Sequence, residues 1–84
     1  MSKESPIGNH IRRLRFEHGE MSQEALAQTV GITRQTVIAL ESLRYAPSLA
    51  LAMKIADVFG KPVDGVFFWR EQETGMPPAS VRTR

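Results

Sequence analysis

Eighty-four residues can form one small core, which is too little for an enzyme built around a separate substrate domain. Eleven basic and nine acidic residues give a net charge of +2, so composition alone does not indicate a nucleic-acid partner. The lack of cysteine excludes a disulfide framework and a thiolate metal site. No apolar run approaches the roughly 18 residues that cross a bilayer, and the N-terminus lacks a signal-like segment. We therefore expect a cytoplasmic protein with no membrane partner, no cofactor and no bound metal.

The first predicted helix begins at Ser5 and Pro6, because a capping serine followed by proline is a common helix start. Apolar residues then recur at helical spacing towards a stop at Gly19: Ile7, Ile11 and Leu14. The pattern predicts one amphipathic helix at the beginning of the chain.

The second and third predicted helices are separated by a single glycine. Ser22 caps the second helix, whose apolar face consists of Leu26, Ala27 and Val30. Gly31 follows and tolerates the left-handed backbone that a sharp turn needs. Thr33 then caps the third helix, over about residues 34–42, by accepting from an amide two or three residues later.

The remaining elements are predicted to be helical as well. Ser48 caps a fourth helix, which ends at Gly60 and has a broad apolar stripe of Leu49, Ala52, Ile55, Ala56 and Phe59. Pro62 opens a short fifth helix, although Gly65 lowers its helix propensity by about 1 kcal/mol. Its apolar residues are Val63, Val66 and Phe67. We expect an all-α, five-helix domain over residues 1–69 and a disordered, flexible tail over residues 70–84.

The third helix presents a mixed face away from the core. At about 100° per residue, Val37 and Leu40 turn towards the core, and four residues turn the other way: Arg34, Gln35, Ile38 and Ala39. Arginine can donate two parallel hydrogen bonds to guanine, glutamine can pair with adenine, and a small apolar side chain can contact a thymine methyl. These four residues are candidate base-reading residues for double-stranded DNA.

The alternative is an ordinary solvated face, with Ile38 as one of many singly exposed apolar residues. For the helix taken alone, that interpretation suffices. The glycine turn, the two caps and the fixed spacing between them favour recognition of DNA by a helix-turn-helix.

The chain resembles the Cro and phage-repressor type of helix-turn-helix regulators, also called the xenobiotic-response-element type, over about residues 7–68. The matching segments are residues 11–15 (Ile-Arg-Arg-Leu-Arg), 22–27 (Ser-Gln-Glu-Ala-Leu-Ala), 31–37 (Gly-Ile-Thr-Arg-Gln-Thr-Val), 40–41 (Leu-Glu) and 47–56 (Pro-Ser-Leu-Ala-Leu-Ala-Met-Lys-Ile-Ala). The resemblance is to the short, stand-alone members, and it implies a lambda-repressor-like fold.

The resemblance also implies roles for individual residues. Gln23 matches a glutamine that bonds a phosphate and braces the first residues of the recognition helix, and Arg15 and Glu41 match a structural, partly buried ion pair. In similar proteins the loop after the third helix follows the phosphate backbone, although its residues fit a solvated loop equally well. With the two threonines that open the third helix, the candidate phosphate-binding residues are Gln23, Thr33, Thr36, Ser42, Arg44 and Tyr45.

Three departures from the family pattern affect these expectations. One extra residue lies between Arg15 and Gln23, which bears on the ion pair. Leu43 stands where the family commonly has glycine, and because leucine adopts positive φ less cheaply, the pattern predicts a different loop conformation. Gly65 replaces a usual helix former in the fifth helix.

The three consecutive residues Phe67, Phe68 and Trp69 are the candidates for a dimer surface, because no helix can turn all three into one core. We expect Phe67 in the core and Phe68 or Trp69 in a homodimer interface. The alternative is that the tail folds back and covers them.

Two functions compete at this point. The first is a sequence-specific DNA-binding transcriptional regulator, such as a repressor, with the third helix in the major groove of a two-fold operator. The second is an antitoxin-like or other protein-interaction module whose DNA binding is secondary. An enzyme is not expected, because no nucleophile is paired with a positioned base.

Overall fold

The computed structural model describes residues 4–70 and has a mostly helical fold with a small two-stranded antiparallel sheet. Within that range the chain forms four α-helices, one turn of 3-10 helix and two short strands. In chain order these are β1 (Ile7–Asn9), α1 (Ile11–Glu17), α2 (Gln23–Val30), α3 (Arg34–Glu41), α4 (Leu49–Val58), a 3-10 turn (Val63–Gly65) and β2 (Phe67–Trp69). No described helix has the length and apolarity needed to cross a membrane.

The predicted start of the first helix is wrong, because the segment after Ser5 and Pro6 is extended. The Ser5 hydroxyl accepts from the Ile7 amide at 2.9 Å, and strand β1 then pairs antiparallel with β2, with Gly8 opposite Phe68. Gly8 is buried under the Phe68 ring, where a Cβ atom would lie 2.5 Å from its Cε1 atom. Pairing with a distant segment therefore overrides the local helix signal.

The expectation of five helices in an all-α domain is also corrected. Between α4 and Arg70 only Val63–Gly65 is helical, as a single 3-10 turn without a side-chain cap, and the chain continues as strand β2. Of the predicted tail, Arg70 is described and its amide donates to the Pro6 carbonyl at 2.8 Å, so it extends the pairing of the strands. Residues 71–84 lie outside the described range.

The caps predicted for the second, third and fourth helices are confirmed. The side chains of Ser22, Thr33 and Ser48 each accept from the backbone amide three residues later, at 2.9, 3.2 and 3.1 Å. Gly31 ends α2 in the left-handed conformation, with φ of 80°. Local side-chain chemistry therefore defines where α2, α3 and α4 begin and how the turn between α2 and α3 is made.

One core joins all four helices and strand β2. Its largest fully buried side chains are Ile11, Leu14, Leu26, Val37, Leu40, Ile55 and Val66. Phe67 joins the same core, whereas Ile7 packs against its edge. Because Val37 and Leu40 are buried, the orientation of α3 is fixed by apolar contacts with the rest of the domain.

The turn between α2 and α3 can be tested with two glycines. In Gly31→Ala a Cβ would meet no atom within 4 Å, so the only cost is the left-handed backbone, about 1–2 kcal/mol of unfolding free energy. Gly65→Ala is the control, because its backbone is not left-handed and its nearest contacts are 3.4 Å or more. That variant should be neutral or gain about 0.4–1 kcal/mol in urea unfolding. Equal stabilities of the two variants would contradict this account of the turn.

Candidate nucleic-acid interface

Helix α3 divides into a buried side and an accessible side. Val37 and Leu40 are fully buried, whereas Arg34 and Gln35 are exposed. Ile38 and Ala39 are half-buried, so they form the edge of the accessible face and not its centre. The sequence therefore predicted the direction of these side chains correctly but overstated the exposure of Ile38.

The beginning of α3 is ordered by its own threonines. The Thr33 hydroxyl accepts from the Thr36 amide, and the two hydroxyl oxygens lie 3.0 Å apart within hydrogen-bonding distance. Before them, the amides of Gly31 and Ile32 both donate to the Ala27 carbonyl at 2.9 Å. These bonds fix the approach of α3 to α2, and they hold both hydroxyl groups at the exposed start of α3.

A hydrogen-bonded ion pair connects α1 with the end of α3. Arg15 Nε donates to Glu41 Oε2 at 2.7 Å, and the second terminal nitrogen of Arg15 donates to Glu41 Oε1 at 3.1 Å. The remaining terminal nitrogen donates to the Met21 carbonyl at 2.7 Å. Both side chains are largely buried, with 14% and 12% of their surface exposed. The extra residue before Gln23 is thus accommodated without loss of this contact.

Gln23 joins the same cluster instead of the beginning of α3. Its Nε2 atom donates to Glu41 Oε1 at 3.1 Å, and its side chain is half-buried. The structure shows no hydrogen bond from Gln23 to the first residues of α3 within the described range. The bracing contact implied by the family resemblance therefore reaches the last residue of α3 in this chain.

The loop after α3 adopts the left-handed conformation at Leu43, with φ of 67°, although leucine pays a steric cost there. The amides of Leu43 and Arg44 donate to the carbonyls of Leu40 and Ala39, and the Ser42 hydroxyl donates to Ala39 as well. The Leu43 carbonyl accepts from the Ser5 amide. Leucine therefore takes the left-handed position after α3, where glycine is usual, and the hydrogen bond from the Ser5 amide holds it there.

The loop and helix α3 share one groove. This shallow depression of about 340 Å³ is lined by Gln35, Thr36, Ala39, Arg44 and Tyr45. Residues of both predicted groups, base-reading and phosphate-binding, therefore meet on one surface. Arg34 and Arg44 are exposed and form no ion pair with any described residue. Their charges remain available to an anionic partner.

Sequence reasoning missed Asn9 and assigned Ser5 a different role, as a helix cap, whereas both residues anchor the end of α3 and the loop after it. Asn9 Oδ1 accepts from the Ile11 amide at 3.1 Å, and Asn9 Nδ2 donates to the Leu40 carbonyl at 3.0 Å. The position of Asn9 two residues before an apolar helix was a usable signal, because asparagine often caps amides at that distance. Its second contact, 31 residues away, had no local signal.

The accessible groove, the glycine turn and the capped helix α3 define a helix-turn-helix domain. The family model described as helix-turn-helix matches residues 11–66, and the chain belongs to this family in its Cro/C1 type, as the resemblance predicted. The family consists of DNA-binding transcriptional regulators and not of enzymes. No group of three metal-ligating side chains that could hold an ion occurs in the part of the chain that the structure describes.

Curated relatives are similar over most of their length. The chain is 49% identical over 65 residues to the uncharacterized HTH-type transcriptional regulator YgzD of Bacillus subtilis, covering 77% of this chain and 96% of the relative. It is 42% identical over 65 residues to the uncharacterized HTH-type transcriptional regulator MJ0272 of Methanocaldococcus jannaschii, covering 77% and 97%.

Two solved structures share the fold. A candidate DNA-binding protein from Bacteroides fragilis superposes with a TM-score of 0.64 at 19% identity, over 74% of this chain and 98% of that one. The hypothetical transcription factor NHTF from Neisseria gives a TM-score of 0.59 at 28% identity, over 86% and 72%.

Proposed function

We propose that this protein is a sequence-specific transcriptional regulator that places α3 in the major groove of double-stranded DNA. The observation that supports the proposal most directly is the groove shared by Gln35, Thr36 and Ala39 with Arg44 and Tyr45. A duplex presents base edges next to a phosphate backbone. A protein that recognises its sequence therefore needs base-reading and phosphate-binding side chains on one surface. We place the protein in the cytoplasm, where such a regulator meets chromosomal DNA.

The base-reading roles follow from side-chain chemistry. Arg34 lies at the exposed start of α3 and suits the O6 and N7 atoms of guanine, and Gln35 suits the N6 and N7 atoms of adenine. Ile38 and Ala39 are half-buried one turn further along, where they offer apolar contact to a thymine methyl.

The phosphate-binding roles belong to side chains around this face. Thr33 and Thr36 hold hydroxyl groups at the start of α3, while Ser42, Arg44 and Tyr45 follow its end. Gln23 stands at the first position of α2, where backbone amides without helical partners favour anions. These residues would position the domain without reading sequence.

The two arginines provide a matched test of these roles. Arg34→Ala should cost about 1–3 kcal/mol of binding free energy on the preferred site and relax the preference at one base pair. Arg44→Ala should weaken all sequences alike and reduce the slope of log K against log salt by about 1. Fluorescence anisotropy with specific and random duplexes at several salt concentrations measures both effects. If both variants lose equal affinity on specific and random DNA, the assignment of roles is wrong.

We also propose that the protein binds as a homodimer through strand β2 of the two-stranded sheet. Phe68 and Trp69 are 40% and 41% exposed, whereas Phe67 is buried in the core. The exposed pair borders an apolar depression of about 380 Å³ that also includes Ile7 and Val63. A two-fold dimer would present two α3 helices to half-sites about 34 Å apart. The names of the curated relatives refer to transcriptional regulation and to no toxin, so they do not favour the antitoxin alternative.

The dimer surface can be tested by mass in solution. Trp69→Ala should shift the protein towards monomer, because it removes a large apolar side chain from the proposed interface. Phe16→Ala is the control, since Phe16 is 67% exposed on α1 and does not line the depression beside Trp69. Light scattering after size exclusion should give a dimer for the wild type and for Phe16→Ala. A monomeric wild type at high concentration would refute the proposal.

A further inference from the structure

Besides its ion pair with Arg15, Glu41 accepts a hydrogen bond from Gln23. Among residues 4–70 its Oε2 atom accepts only from Arg15, whereas its Oε1 atom accepts from both Arg15 and Gln23. The Glu41 side chain is 12% exposed, and the carboxylate is fixed by two hydrogen bonds from one planar guanidinium. Gln23 therefore donates to an acceptor oxygen that Arg15 holds in a fixed position.

The contact determines how the Gln23 amide is turned. A carboxylate accepts hydrogen bonds, so the Nε2 atom and not the Oε1 atom of Gln23 must face Glu41. One Nε2 hydrogen is used in this bond, and the other has no partner among the described residues. An amide held this way keeps a donor for an anion next to the first backbone amides of α2.

The charge of Glu41 would repel a phosphate if it were not compensated. Arg15 neutralises it through two hydrogen bonds at 2.7 and 3.1 Å. Glu41 therefore orients the Gln23 amide, while the charges of Glu41 and Arg15 cancel. A cluster without net charge does not repel the phosphates of the DNA backbone.

We propose that Glu41, held by Arg15, is a positioning residue that orients the Gln23 amide to donate to a DNA phosphate. This inference rests on the proposed function, because it deepens the role given there to Gln23. In this account the ion pair contributes to DNA binding through Gln23 without touching DNA.

The test is a double-mutant cycle on DNA binding, with thermal unfolding measured in parallel. Gln23→Ala should weaken binding by about ten- to a hundredfold, the usual scale for one hydrogen bond to a charged group. Glu41→Ala should cause a similar loss, and the double variant should lose no more than one single variant, because both remove the same contact. Gln28→Ala is the matched control, since Gln28 pairs with Glu24 on the exposed side of the same helix, and its binding should equal that of the wild type.

Losses that multiply in the double variant, or wild-type affinity of a folded Glu41→Ala variant, would overturn the positioning role. A wild type that binds no DNA sequence would instead overturn the proposed function, and the positioning role with it.

A second measurement applies even if Glu41→Ala does not fold. In the free wild type, the side-chain amide hydrogens of Gln23 should exchange with solvent more slowly than those of Gln35, which is exposed and has no hydrogen-bond partner among residues 4–70. Equal exchange rates by nuclear magnetic resonance would overturn the orientation on which the proposal depends.

Discussion

The arrangement of the helices depends on the guanidinium of Arg15. It donates three hydrogen bonds, two to Glu41 at the end of α3 and one to the Met21 carbonyl, so one side chain of α1 connects the end of α3 with the segment that precedes α2. Removal of one partner of such a buried pair lowers the free energy of unfolding by about 3–5 kcal/mol. The total free energy of unfolding of a small domain is about 5–15 kcal/mol. The apolar core and the turn bonds to Ala27 set the packing of α3 against α2, and this pair ties the end of α3 to α1 and to the segment before α2.

The N-terminal segment, which includes strand β1, provides a second support for helix α3. Asn9 holds the Leu40 carbonyl, and the Ser5 amide holds the Leu43 carbonyl, so the N-terminal segment closes the end of α3 and the loop that follows it. Arg70 in turn donates to the carbonyl of Ser5 at 2.9 Å. The proposed dimer surface lies at strand β2, and the proposed DNA surface lies at α3. Hydrogen bonds through the N-terminal segment connect the two. An interface at Trp69 would rest on the same strands that hold the recognition helix.

Elements with local causes could be predicted from the sequence, and elements with distant causes could not. The caps at Ser22, Thr33 and Ser48 and the turn at Gly31 are made by residues close together in the chain, and all are confirmed. The strands depend on Ile7–Asn9 meeting Phe67–Trp69, about sixty residues later, and no local pattern encodes that pairing. For the same reason the contacts of Asn9 and Ser5 with the end of α3 and its loop were missed, whereas the face of α3 followed directly from its helical period.

The most direct test of this account is a selection of binding sites from randomised double-stranded DNA by the wild-type protein at about 0.15 M salt. The account predicts one enriched sequence with two-fold symmetry, whose half-sites lie about one helical turn apart. Enrichment of a single asymmetric half-site would contradict the homodimer, and no enrichment over random DNA would contradict the central claim that α3 reads bases.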